Sequence, residues 1–105
     1  MIDSKNNILI LSAGRRVELV QAFQAEVRKR GLTSRIFATD MNPALSAACQ
    51  IADEAIAVPR VTDPGYHELL LEICLQNDIG LVVPTIDTEL LGLAMDRERF
   101  ASHGV

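Results

Sequence analysis

Two adjacent cations, Arg15 and Arg16, follow a glycine, Gly14, in the stretch ILILSAGRRVELV at residues 8–20. The stretch reads as a strand that passes into a helix starting at Arg15. Helix amino termini carry partial positive charge and favour acids in their first turn. Two arginines there oppose that preference unless an anion offsets them. Glycine-opened backbone, helix-terminal N–H groups and a guanidinium together can cradle a phosphate or a carboxylate. The competing reading keeps both arginines as solvated surface residues whose cost is offset by Glu18.

A second set of polar residues recurs where other strands are expected to end. Asp40 closes one such segment, in ATDMNP, and Thr85, Asp87 and Glu89 follow another, in VVPTIDTELL. These acids suit the amino or hydroxyl groups of a substrate, or they serve only as caps and first-turn residues of the next helix. A cationic loop beside an acidic one would suit a zwitterion such as an amino acid.

Other chemistries fit less well. The three glycine positions of a dinucleotide loop are held by Ser12, Gly14 and Val17, and only the middle one matches. Asp40 is placed to hold a ribose hydroxyl, so a standalone nucleotide- or dinucleotide-binding module stays as the alternative. A phospho-acceptor domain would want an acidic pair where this chain has Ser12 and Ala13. His67 and His103 read as surface residues, no nucleophile–base pair assembles, and no metal cage is expected.

The elements that must position these residues alternate in kind. Residues 7–11 (NILIL) form an apolar run suited to a strand buried on both faces. Val17, Val20, Phe23 and Val27 then recur at helical spacing, Arg28, Lys29 and Arg30 suit the helix carboxyl end, and Gly31 suits its stop. Residues 35–39 are a second strand, 44–50 a short helix and 55–58 a third strand. Asp63 and Pro64 read as N-cap and first position of a helix that turns Tyr66, Leu69, Leu70, Ile73 and Cys74 inward. Residues 81–83 are a fourth strand, and a last helix from Asp87 is expected to bury Leu90, Leu91, Ala94 and Phe100. Gly104 reads as its stop signal and Val105 as the start of a fifth strand. This order predicts a doubly wound α/β fold: a mostly parallel sheet of four to five strands with helices on both faces. In such sheets ligands bind beyond the carboxyl ends of the strands. That edge gathers residues 12–16, 40–43, 59–60 and 84–89.

Composition bounds the partners. The chain has 105 residues, enough for about one domain, with 49% hydrophobic and 23% charged residues. A net charge of −4 argues against nucleic acid or anionic lipid, and 4% aromatics without tryptophan give no base-stacking platform. No run is long enough to span a membrane, and MIDSKNN has no leader pattern, so the cytoplasm is the expected compartment. Cys49 and Cys74 have no zinc or redox spacing and read as reduced thiols.

In register, ILILSAGRRVELV, ATDMNP, AVPRVTDPGY and VVPTIDTELL resemble the N-terminal domain of ATP-grasp enzymes, in the carbamoyl-phosphate-synthase-like subgroup. The resemblance runs from about Asn7 to Val105. It implies a Rossmann-like pre-ATP-grasp domain, here the whole of 1–105, as a fragment of a longer ligase and inactive alone. The ligase would activate a small-molecule carboxylate as an acyl-phosphate and pass it to an amine or other nucleophile. ATP and Mg²⁺ are implied for a later ATP-grasp module, with no cofactor and no catalytic residue in this fragment. That module and, through dimerisation, a second copy are the implied protein partners. Gly14, Arg15 and Arg16 would form the loop facing substrate or phosphate, Asp40 would border the cleft, and Thr85, Asp87 and Glu89 would line its other side.

Overall fold

The structure, a computed structural model, describes residues 6–105. The reading of MIDSKNN as carrying no leader falls mostly on residues outside these. Strands β1 (Asn7–Ile10), β2 (Ile36–Asp40), β3 (Glu54–Ala57) and β4 (Ile79–Val83) alternate with helices α1 (Val17–Lys29), α2 (Ala47–Ile51), α3 (Tyr66–Gln76), α4 (Asp87–Met95) and α5 (Arg97–Ala101). The four strands are parallel, in the order β3-β2-β1-β4. The expected α/β fold is therefore observed, with four strands among the described residues.

Alternation along the central strands divides the core. Leu9, Leu11 and Phe37 pack with Tyr66, Leu70, Cys74 and Phe100 from the α3 and α5 side. Ile10, Ile36 and Ala38 pack with Val20, Ala48 and Cys49 from α1 and α2. A period of two on the strands thus feeds both layers, so the strands read as continuous apolar runs. Each fully buried Leu or Ile contributes about 1.5–3 kcal/mol. Among the described residues no helix is long and apolar enough to cross a membrane.

Helix ends differ from expectation where local side chains intervene. The arginine pair lies outside α1, which starts at Val17 with no side-chain cap. Its other end is as expected: Gly31 has φ +67°, Leu32 N–H donates to Val27 O and Gly31 N–H to Arg28 O, the double bond of a left-handed stop. Residues 44–50 divide into a tight turn at Pro43–Leu45 and α2, which Ser46 caps by accepting from the Cys49 N–H. Asp63 does not cap α3. Its carboxylate accepts from the Gly65 N–H at 2.9 Å, a local turn that delays the helix to Tyr66.

The last helix is the main correction. It breaks at Asp96 into α4 and α5, and Leu90 and Leu91 are 55% and 68% exposed, with Ala94 exposed as well. Glu89 points inward instead, only 1% exposed, while Phe100 is buried as expected. A buried hydrogen-bonded carboxylate sets the rotation of α4 against the apolar stripe. The Val105 N–H donates to Phe100 O at 3.2 Å, closing the helical end beside Gly104 at φ +84°.

Gly92 lets α4 approach α3. A Cβ there would stand 3.0 Å from Cε1 and 3.2 Å from Nε2 of His67. That ring is half-buried, contrary to the surface reading, and Asp96 holds its Nδ1 at 3.1 Å. Glycine-to-alanine in a helix ordinarily gains about 1 kcal/mol. Here Gly92→Ala is expected to lose stability, and Gly92→Val to cost about 2 kcal/mol by overpacking, read as a fall in the urea midpoint.

Candidate functional site

The strand order places a switch point between β1 and β4. From β1 the chain steps outward through β2 to β3, then returns to the opposite side of β1. Connections leaving β1 and β4 therefore diverge to opposite faces, opening a crevice at their carboxyl ends, where such sheets bind ligands. The loops that emerge there are residues 11–16 and 84–86.

Backbone conformation shapes the first loop. Gly14 takes φ +48°, where a side chain would be strained. Its carbonyl accepts from Ser46 Oγ at 2.7 Å and from the Ala48 N–H at 3.0 Å, tying the loop to α2. Ser12 also lies in the left-handed region, at φ +49°. Its N–H donates to Thr39 Oγ1 at 3.3 Å, and the Ala13 N–H donates to Thr39 O at 2.9 Å.

The second loop is stitched to the first. Thr85 Oγ1 lies 2.9 Å from the carbonyl oxygens of Leu11 and Ser12. Arg16 Nη2 donates to Thr85 O at 3.1 Å. Arg15 and Arg16 are both exposed, beside the uncapped start of α1. Two guanidinium groups and a helix amino terminus thus meet on one surface, and an anion is the ligand that suits it.

The acids divide into different settings. Asp87 is exposed at the first position of α4. Asp40 ends β2, half-buried, and its Oδ2 accepts from the Asn42 N–H at 3.1 Å. Glu89 lies below the surface: Oε1 accepts from the Ser12 hydroxyl at 2.6 Å and Oε2 from the Tyr66 hydroxyl in a short bond. Burial and the adjoining Glu89 carboxylate both push the Tyr66 phenol above its ordinary range. The loop residues Arg16, Thr85 and Ser12 are joined through one network that reaches Glu89, whereas Gly14 bonds to α2 and the Asp40 carboxylate bonds within its own turn.

Thr39 and Tyr66 are the members that sequence reasoning misses, and Ser12 is placed at this edge by the sequence without a role. Tyr66 was legible only as a core residue, and nothing local marks Ser12 as left-handed or Thr39 as its partner. Among the described residues no group of three His, Cys, Asp or Glu side chains could hold a metal ion.

A family model described as PylC-like, N-terminal domain, matches residues 8–105. The chain belongs to the PylC-like N-terminal domain family. This family is part of the pre-ATP-grasp region of ATP-grasp enzymes, which agrees with the broader resemblance read from the sequence. A search among curated proteins found no match. In this PylC-like domain the matched span takes in every element of the β1–β4 switch point but the first residue of β1. Val17, where a dinucleotide loop would carry its third glycine, instead opens α1 of the PylC-like domain.

Proposed function

We propose that the chain is the substrate-binding N-terminal domain of an ATP-grasp ligase, inactive alone, and that residues 12–16 receive a substrate carboxylate or its acyl-phosphate. The observation that carries this reading is the cationic, uncapped loop at the switch point, with Gly14 left-handed and Arg16 anchored on Thr85. Arg15 supplies a bidentate grip on the anion, and the Gly14 region brings backbone N–H groups close to it. Asp40 and Asp87 take the amino or hydroxyl groups of the same substrate. Thr85 and Glu89 hold the loop and do not touch the ligand.

In this reading ATP and Mg²⁺ are bound by the ATP-grasp module, which supplies the phosphoryl group. The four motifs in register support the carbamoyl-phosphate-synthase-like subgroup for the parent enzyme. The module's docking face is the apolar border formed by β4 and α4, where Leu81, Leu90, Leu91 and Met95 are exposed beside a groove of about 260 Å³. An apolar patch of this kind marks an interaction surface.

The test is kinetic. In the full-length enzyme, Arg15→Ala and Arg16→Ala are each expected to raise KM for the carboxylate about 10- to 100-fold, the worth of a charged hydrogen bond. Arg15→Ala should show the larger change, because Arg16 is partly engaged with Thr85. Unchanged KM and kcat in both variants would remove the anion-binding role.

A further inference from the structure

Three elements converge on Ser12. β2 takes its N–H through Thr39, the β4–α4 loop reaches its carbonyl through Thr85, and α4 takes its hydroxyl through Glu89. Serine is not a residue that settles readily at φ +49°, where its Cβ crowds the following carbonyl. Strained backbone of this kind persists only where its surroundings over-determine it, and it clusters at functional sites.

Stability alone does not call for this arrangement. Glu89 is buried at the price of desolvating a carboxylate, and well-packed apolar side chains in its place serve a fold at least as well. What the carboxylate adds is direction. Its two oxygens face different hydroxyls, Tyr66 on α3 fixing one and leaving the other for Ser12. Tyr66 is itself 2% exposed and packed in the core, so the anchor is rigid.

We propose that Ser12, held by Glu89, is the positioning residue of the anion loop: the buried carboxylate keeps Ser12 left-handed, and this aims the Gly14 and Arg15 amides at the incoming anion. The inference rests on the anion-binding reading above and deepens it, because neither Ser12 nor Glu89 touches the ligand. Both act through the backbone that follows.

The experiment titrates inorganic phosphate into the intact chain and follows the amide resonances of Gly14 and Arg15. Ser12→Ala and Ser12→Gly both delete the hydroxyl, and only glycine accepts the left-handed conformation without it. Ser12→Ala is expected to weaken phosphate binding about tenfold, while Ser12→Gly stays within about threefold of the parent. Glu89→Gln should weaken binding beside Ser12 and have little effect in the Ser12→Gly background. Should Ser12→Ala fail to fold, Tyr66→Phe, which keeps the core ring, makes the same comparison in the two backgrounds. Equal loss in Ser12→Ala and Ser12→Gly would overturn positioning in favour of a direct hydroxyl contact. No loss in either would reduce the network to a structural one. A parent chain whose Gly14 and Arg15 amides ignore phosphate would overturn the anion reading and this proposal together, whereas a responding parent with an unaltered Ser12→Ala removes the proposal alone.

Discussion

Replacing Glu89 with alanine is expected to cost the fold about 3 kcal/mol, from a side chain that the apolar pattern of its helix would leave at the surface. Two effects add. The Tyr66 hydroxyl loses its acceptor deep in the core, and an unsatisfied buried donor costs about 1–3 kcal/mol. The space left by the side chain adds a cavity cost between α4 and the strand ends. Against these stands the relief from burying a carboxylate, which keeps the net below that of a fully buried apolar deletion. Urea unfolding should show a lower midpoint with an unchanged slope. The double variant Glu89→Ala, Tyr66→Phe should be less damaged than the sum of the two singles, because no hydroxyl is then orphaned. A loss under about 1 kcal/mol in Glu89→Ala would mean that desolvation cancels the network.

The second large effect is alkaline. Tyr66 is the only tyrosine and the chain has no tryptophan, so phenolate absorbance reports this one group. In the unfolded chain it should ionise near pH 10, the ordinary value. In the native protein burial and the Glu89 carboxylate hold the phenol protonated well above that. A raised folded value means that the native state keeps a proton the unfolded state releases. Its contribution is complete below about pH 10 and is lost as pH rises through the folded value, at up to about 1.4 kcal/mol per unit. Phenolate absorbance should therefore stay flat past pH 10 and appear together with loss of the circular dichroism signal. Ionisation near pH 10 in a chain that keeps its fold would show that the phenol is not held.

Much of the architecture was legible because burial on both faces leaves a plain mark. Runs such as residues 7–11, bounded by helical periodicity and a terminal Gly31, leave little choice but alternating strand and helix. The carboxyl edge follows from the strand ends, which puts residues 12–16 and 84–89 on one side. The rotation of α4 was not legible. Counting apolar positions favours Leu90 and Leu91, yet Glu89 overrides them through partners 23 and 77 residues away, which no local pattern encodes. Asp63 followed by Pro64 reads equally as a helix cap and as a turn, and the Gly65 amide decided for the turn. The arginine pair lies one step before α1, which moves both cations from the helix into the loop.

The two borders of the sheet differ in kind. β3 is four residues long and begins with Glu54, whose carboxylate is paired with Arg35 at 2.5 Å. β4, on the far side, is flanked by exposed leucines and, among the described residues, has β1 as its only strand neighbour. Short, charged edges resist strand addition, and long apolar ones invite it. Lateral growth of this sheet is therefore resisted at the β3 margin, where the strand is short and its first residue is a paired charge.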